Sequence, residues 1–192
     1  CLESAKSELE PGRAHEDLAV AERTAQRASI LVRALLDVAR PGERAFAAVD
    51  LDELAGDVAR AAEPSARREG VDLVLHAGHV PAVLGDAGQL HQVVLNLVTN
   101  ALQAAGRGGH VRLSTARVDG RVELVVEDDG PGVPPELVDR IFEPFYTTRD
   151  GGTGLGLFIS YGIVERHGGT LAVDRGPLGG ARFRLTLPAA GD

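Results

Sequence analysis

The chain has 192 residues, of which 44% are hydrophobic and 25% charged, a composition typical of globular proteins. Its net charge of −8 argues against a nucleic-acid partner, because phosphate neutralisation needs a basic face. Cys1 is the one cysteine, so an intrachain disulfide is excluded. The sequence has no run of about 18 apolar residues, so it predicts no membrane span. We expect a cytoplasmic fragment of a longer protein, and whether that parent protein is attached to a membrane stays open.

Residues 1–40 carry apolar side chains at helical spacing on both sides of Pro11-Gly12. From Leu18 to Ala39 these side chains recur three and four residues apart, which is a heptad pattern. The pattern predicts a short helix, a tight turn and a long helix, a helical hairpin that buries its apolar face by dimerising. Residues 41–50 begin with Pro-Gly and are assigned to a linker.

Residues 51–190 show a different pattern, in which helical and extended segments follow one another. Asp52 is the expected N-cap of the first helix, and Asp86 caps a longer helix that ends at Gly106. Asp119-Gly120 between two alternating runs predicts a β-hairpin. With the remaining elements, these segments predict an α+β domain, a two-layer sandwich with helices on one face of a mixed sheet.

The helix over residues 86–105 places amide side chains on one face, because Asn96 and Asn100 are four residues apart and Gln103 extends the row. Asparagine is a poor residue for a helix interior, although amides that are solvated or bonded within the core give the same pattern. A carboxamide oxygen is a neutral, hard ligand that suits Mg²⁺ bridging phosphates. The pair is therefore a candidate metal and phosphate site.

A first glycine-rich turn, Asp128-Asp-Gly-Pro-Gly132, follows directly on a predicted strand. An aspartate at a strand end can accept a hydrogen bond from an exocyclic amine, which would select adenine over guanine. Gly130 and Gly132 would let a planar base lie against the backbone. The same residues also fit a plain turn, so the motif alone is a weak signal.

A second glycine-rich turn, residues 152–157, reads GTGLGL and opens a predicted helix. Backbone N–H groups at a helix N-terminus preceded by glycines can bind an anion, although a simple helix start has the same pattern. No Gly-Lys-Ser/Thr follows, so this is not a P-loop.

Between the two turns lies the segment FEPFYTTR, residues 142–149. Thr147, Thr148 and Arg149 offer two hydroxyls and a fixed cation to phosphates. Phe142 and Phe145 either anchor the base of a flap or are core aromatics.

Residues 50–188 resemble the catalytic ATP-binding domain of bacterial sensor histidine kinases, which belong to the Bergerat-fold ATPase superfamily. Each of the family's motifs is weak alone, but five of them in order are highly specific. They are the N box Asn96–Asn100, the first glycine box Asp128–Gly132, the F box Phe142–Arg149, the second glycine box Gly152–Leu157 and the terminal strand motif Gly179–Phe183.

The resemblance implies a site for Mg·ATP. Asn100 would hold Mg²⁺, Asn96 would help to position metal and phosphates, and Asp128 would bind the adenine amino group. The implied nucleotide-binding residues are Asn96, Asn100, Gln103, Asp128, Gly130, Gly132, Thr147, Thr148, Arg149, Gly152, Thr153, Gly154, Leu155, Gly156 and Leu157, with Asn96 and Arg149 in catalytic roles.

Two residues depart from the family pattern. Arg149 stands where many relatives have lysine, and Gln103 replaces a cation often found one turn after the second asparagine. Phosphate neutralisation would therefore depend more on Mg²⁺ and Arg149.

The resemblance also implies the reaction: transfer of the γ-phosphate to a histidine, followed by relay to an aspartate of a response-regulator receiver domain. Residues 1–40 then resemble part of the hairpin that dimerises and carries this histidine. His15-Glu16-Asp17 begins as the acceptor motif does, but it follows the turn, lies in the wrong helix and lacks the later proline. We expect the acceptor upstream of Cys1.

Two alternative functions stay open. ATP hydrolases of the superfamily carry a glutamate at the position of Asn96 to activate water, and asparagine is a poor base. A pseudokinase scaffold would need no intact nucleotide motifs, whereas all of them are present here.

Overall fold

The computed structural model describes residues 46–148 and 152–191, which form an α+β unit. In chain order its elements are β1 (Ala47–Val49), α1 (Leu51–Glu69), β2 (Asp72–His76), β3 (Val83–Gly85), α2 (Ala87–Ala105), β4 (His110–Val118), β5 (Arg121–Asp128), the short 3-10 helices Pro135–Leu137 and Arg140–Phe142, α3 (Gly156–Arg166), β6 (Thr170–Arg175) and β7 (Ala181–Pro188). None of these helices is both long and apolar enough to cross a bilayer.

Five of the strands form one sheet in the order β2-β4-β5-β7-β6. β2 runs parallel to β4 and the other pairings are antiparallel, so the predicted mixed sheet is confirmed. β4 and β5 form the predicted hairpin, in which Asp119 and Gly120 have φ of 49° and 81°. Positive φ at both central residues is the type I′ turn geometry that Asp-Gly favours. β1 and β3 form a separate antiparallel pair.

One face of the five-stranded sheet is apolar and packs against the helices. Alternate residues of β4, β5 and β7 point into this layer, and Leu113, Leu124 and Leu185 are fully buried there. The other face is polar, and Arg182 donates to both carboxylate oxygens of Asp174 at 2.7 and 2.8 Å. The structure therefore confirms the two-layer sandwich with helices on one face.

Helix α1 begins at a different residue from the one expected. Its N-cap is Asp50, which accepts hydrogen bonds from the backbone N–H groups of Asp52 and Glu53 at 2.8 and 3.1 Å. The prediction that Asp52 is the cap was wrong. Asp52 accepts instead from the backbone N–H of Val80 at 2.8 Å and from the Thr115 hydroxyl, so it ties α1 to β4.

The first turn of α2 is fixed by two side chains. Asp86 caps it as predicted, accepting from two backbone N–H groups of that turn. Buried His167 accepts from the Asp86 backbone N–H at 3.0 Å through Nε2 and donates to the Ile163 carbonyl at 2.7 Å through Nδ1. Phe46 stacks on this imidazole with ring centroids 4.5 Å apart. The imidazole thereby joins the start of α2 to the last turn of α3.

The first strand lies within residues 41–50, for which the sequence predicts a linker. Val49 of β1 pairs with Val83 of β3, and both side chains are buried in the core. A strand of three residues is too short to reveal its alternation in the sequence. The predicted helical pair of residues 1–40, including His15, lies outside the described residues.

Candidate functional site

A cavity of about 590 Å³ opens beside helix α2, between the ends of β5 and β7 and the segment from residue 131 to 157. This volume is within the range of small-molecule sites. The sequence-predicted residues that line it are Asn96, Asn100, Gln103, Asp128, Gly132, Thr147, Thr148, Gly152, Thr153, Gly154, Gly156 and Leu157. Gly130 and Leu155 are outside this lining, and Arg149 lies outside the described residues.

Helix α2 supplies the polar wall of the cavity. Its apolar face, with Leu97 and Val98 fully buried, packs into the core. The spacing of four residues brings Asn96 and Asn100 to the cavity together, and Gln103 continues the row. Asn96 is fixed further, because its Nδ2 donates to the Ser160 hydroxyl of α3 at 3.0 Å.

Asp128 ends strand β5 and forms a rigid part of the cavity wall. It is 1% exposed, and its Oδ1 accepts hydrogen bonds from the backbone N–H groups of Gly130 and Ala181 at 2.9 and 3.1 Å. The carboxylate is therefore held in one orientation by β7 and by the turn that follows β5.

Two glycines are required by contacts around Asp128. A Cβ at Gly130 would lie 2.6 Å from the carbonyl oxygen of Ala104 on α2. A Cβ at Gly180 would lie 2.2 Å from Asp128 Oδ1 and 2.5 Å from its carbonyl oxygen. Side chains at either position would push the turn away from α2 or away from β7.

The second glycine turn meets both the F-box segment and helix α2. Gly154 has φ of 66°, and a Cβ there would lie 2.3 Å from the carbonyl carbon of Phe145. A Cβ at Gly156 would lie 2.5 Å from Asn96 Oδ1. Leu155, 1% exposed, anchors the turn in the core. Helix α3 then starts at Gly156, within the turn.

The start of α3 faces the cavity through Gly156 and Leu157. Within the described residues no side chain caps this helix, since its N-cap Leu155 has no polar side chain. The first backbone N–H groups of a helix have no partner within the helix and favour an anion.

The F-box segment forms another part of the cavity wall. Tyr146, Thr147 and Thr148 line it, and the guanidinium of Arg140 lies 4.8 Å from the centre of the Tyr146 ring. Phe145 donates its backbone N–H to the Gly154 carbonyl at 2.9 Å and has φ of 67°. That conformation is a genuine outlier for a bulky residue. Phe142 packs against the core, as one of the two interpretations of this residue predicts.

Several lining residues were not predicted. They are Thr99, Ala104, Pro131, Val133, Ile141, Tyr146, Ala181 and Phe183. Five of them lie inside the motifs named above, which could therefore have identified them: Thr99, Pro131, Tyr146, Ala181 and Phe183. Val133 and Ile141 are apolar, lie outside these motifs and carry no local signal that distinguishes a cavity wall from a core position.

Asp128 is the sole charged side chain among the described residues of the lining. Its neighbour Asp129 points elsewhere and accepts from the backbone N–H and from Nδ1 of His110, both at 2.9 Å. The hydrogen bond from the His110 backbone, followed by that from the His110 side chain, lowers the pKa of the Asp129 carboxyl. The Asp129 carboxylate is therefore part of the frame around the cavity.

The polar groups of the cavity suit a metal ion that binds together with a polyphosphate. Residues 46–148 and 152–191 contain no group of three or more His, Cys, Asp or Glu able to hold a metal ion. Magnesium at a polyphosphate needs only one or two protein oxygens, because phosphates and waters complete its octahedron. The amide oxygens of Asn96 and Asn100 are ligands of this kind.

Comparison with known families and proteins gives consistent matches. Residues 85–191 match the family described as histidine kinase-, DNA gyrase B-, and HSP90-like ATPase. The chain is 36% identical over 178 residues to sensor histidine kinase ZraS of Escherichia coli O157:H7, a match over 92% of this chain and 39% of ZraS. It is 32% identical over 189 residues to sporulation kinase A of Bacillus subtilis (strain 168), covering 97% of this chain and 31% of that kinase. The chain thus spans less than half the length of these relatives.

Solved structures give the same result for the fold. The nucleotide-free catalytic domain of histidine kinase ThkA superposes with a TM-score of 0.69 at 33% identity, over 74% of this chain and 95% of that domain. Full-length ShkA in complex with AMPPNP superposes with a TM-score of 0.73 at 32% identity, over 95% of this chain and 40% of ShkA.

Proposed function

Because the chain belongs to the histidine kinase-, DNA gyrase B- and HSP90-like ATPase family, we propose that it is the Mg·ATP-binding catalytic part of a two-component sensor histidine kinase. The observation that carries the proposal is the cavity itself. It brings Asn96 and Asn100, the fixed carboxylate of Asp128 and the start of helix α3 to one volume. The AMPPNP complex of the similar kinase ShkA supports the choice of ligand.

The adenine end of the proposed site is at Asp128. A carboxylate that two backbone N–H groups hold in place can accept a hydrogen bond from the amino group of adenine, which guanine lacks at that position. The apolar side chains of Val133, Ile141 and Phe183 in the same lining suit a planar base. The geometry thus combines one specific acceptor with nonspecific apolar contact.

The phosphate end lies between α2, the F-box segment and the start of α3. Thr147 and Thr148 provide hydroxyls, and the first N–H groups of α3 favour an anion. Asn100 would hold Mg²⁺, and Asn96 would help to position it with the phosphates. Magnesium, when bound, supplies charge neutralisation of the phosphate oxygens. We assign the remaining positive charge to Arg149.

The proposed reaction is transfer of the γ-phosphate to a histidine, for relay to an aspartate of a receiver domain. The histidine is its own nucleophile, so the ATP-binding part has to position the phosphate and balance its charge. Asn96 is a poor base for activating water, which disfavours the alternative of an ATP hydrolase. In the longer protein, the helical pair of residues 1–40 would form a homodimer.

Calorimetry with AMPPNP, in the presence and absence of Mg²⁺, tests the proposal. Asn100→Ala is expected to lower affinity at least tenfold with Mg²⁺ and little without it, because the variant removes a metal ligand. Asp128→Asn is expected to reduce the preference for ATP over GTP. Gln92→Ala removes an exposed amide of the same helix outside the cavity and is the control.

Unchanged affinity in Asn100→Ala would contradict the metal role. Fast ATP turnover without a histidine substrate would favour a hydrolase, and absence of nucleotide binding by the natural chain would favour a scaffold.

A further inference from the structure

Ser160 is a buried polar residue that no sequence motif singles out. It lies in helix α3, four residues after Gly156, and is 2% exposed. Its hydroxyl oxygen accepts a hydrogen bond of 3.0 Å from Asn96 Nδ2, across 64 residues of sequence. Ser160 is outside the lining of the cavity, so its contact with the site runs through Asn96.

The Asn96 amide lies between two residues of the same face of α3. Its Nδ2 is bonded to Ser160, and its Oδ1 lies closest to Gly156, where an added Cβ would be 2.5 Å away. The same added Cβ would be 3.1 Å from Nδ2. The nitrogen therefore points along α3 into the core, and the oxygen lies at the first residue of α3, on the lining of the cavity.

The two ends of an amide have similar shapes and opposite hydrogen-bonding roles. A half-turn about the last side-chain bond would replace the acceptor oxygen of Asn96 by an NH₂ donor. In the structure the Ser160 hydroxyl oxygen accepts from Nδ2, and a half-turn of the amide would break this hydrogen bond. The bond to Ser160 therefore opposes the half-turn and leaves Oδ1 at the cavity.

We propose that Ser160 is a positioning residue that keeps the carbonyl oxygen of Asn96, and not its nitrogen, directed to the phosphate end of the site. This inference rests on the proposed binding of Mg·ATP. An oxygen at this place can accept from a water of the metal or contact the metal itself, whereas an NH₂ group can do neither. Ser160 thereby controls which group Asn96 presents.

A double-mutant cycle between Asn96→Ala and Ser160→Ala tests the role. AMPPNP affinity is measured by calorimetry with Mg²⁺ and with EDTA, and thermal unfolding of each variant is recorded in parallel. We expect Ser160→Ala to lower affinity about fivefold with Mg²⁺ and to leave the affinity in EDTA unchanged. The double variant should bind no more weakly than Asn96→Ala, because Ser160 acts through that residue.

Two further variants separate positioning from packing. Ser160→Thr keeps the hydroxyl and is expected to restore most of the Mg²⁺-dependent affinity. Ser114→Ala removes a hydroxyl from β4, away from the cavity, and is expected to bind as the natural chain does.

Equal losses with and without Mg²⁺, or additive losses in the double variant, would overturn the role of Ser160 while leaving the proposed function intact. Failure of the natural chain to bind AMPPNP would overturn the proposed function and this role with it.

Discussion

The two sides of the cavity differ in how firmly they are held. We call the floor the group formed by Asn96, Asn100 and Asp128, and the flap the described residues of 143–154. Asp128 on the floor is 1% exposed and bonded to the backbone of two other segments, whereas Phe145 in the flap is 58% exposed. Regular elements packed on the core carry the floor, and short irregular segments carry the flap.

The flap also contains strain that the floor lacks. Phe145 has φ of 67°, a conformation that costs a bulky residue about 1–3 kcal/mol. Its N–H bond to the Gly154 carbonyl and the close approach of the Gly154 backbone hold it there. We infer that the packed floor resists displacement and that the exposed flap yields more easily. A substitution that disturbs the packing around the floor should therefore cost more stability than a comparable one in the flap.

The largest expected effect comes from replacing a glycine by alanine beside the floor, at Gly180, and in the flap, at Gly154. An added Cβ would meet backbone at 2.5 Å at Gly180 and at 2.3 Å at Gly154. Gly180→Ala should lower the free energy of unfolding by about 3 kcal/mol, because Asp128 and β7 are packed on both sides and cannot yield. Gly154→Ala should cost about 1 kcal/mol, chiefly from its positive φ, because the exposed flap can shift. Urea unfolding measures both.

Gly162→Ala is the control, because nothing lies within 4 Å of its added Cβ and the position is helical. It should stabilise the chain by about 1 kcal/mol. Equal losses from Gly180→Ala and Gly154→Ala would mean that the flap is as rigid as the floor.

A smaller effect concerns the strain at Phe145. Phe145→Gly should raise the free energy of unfolding by about 1 kcal/mol, because glycine adopts positive φ without cost and the exposed ring contributes little burial. Phe145→Ala removes the same ring but keeps the Cβ, so it should give no such gain. If alanine stabilises as much as glycine, the gain comes from removing the ring and the strain interpretation is wrong.

The smallest expected effect concerns Asp129, which follows Asp128 of the floor, and it depends on pH. Hydrogen bonds from His110 lower the pKa of the Asp129 carboxyl in the folded chain below its unfolded value of about 3.9. This carboxylate therefore contributes stability above that pH, and the contribution is lost as pH falls through the folded pKa. Asp129→Asn should therefore reduce the free energy of unfolding that the chain loses below about pH 4. The reduction should be less than about 1 kcal/mol, because the pair is partly exposed.

Unfolding midpoints in urea, recorded from pH 6 to pH 2, provide the measurement for Asp129. Parallel curves for Asp129→Asn and the natural chain would show that the interaction with His110 does not contribute to stability.

Features that depend on neighbouring residues were readable from the sequence. Asp119-Gly120 determines its hairpin turn by backbone conformation alone, and Asp86 caps α2 through groups two and three residues away. A spacing of four residues is sufficient to place Asn96 and Asn100 on one face. The helix and strand order follows from such local patterns, and the resemblance to the family implied the predicted set of cavity residues.

Other features depend on partners that are distant in sequence, and no local pattern reports them. Asp52 was expected to cap α1 but contacts Val80 and Thr115, which are 28 and 63 residues away. His167 was given no role and holds the start of α2 from 81 residues away. Burial and pairing of polar groups are properties of the packed chain, so only the tertiary structure could assign these side chains.

The glycines of the second turn show where the two kinds of information meet. The sequence alone determined that residues 152–157 form a glycine turn before a helix, because glycine density and periodicity are local. Only the tertiary structure decided what each glycine contacts: Gly154 faces the backbone of Phe145, and Gly156 faces the amide of Asn96. The physical reason is that a missing Cβ is visible in the sequence, whereas the atoms that occupy its place come from elsewhere in the fold.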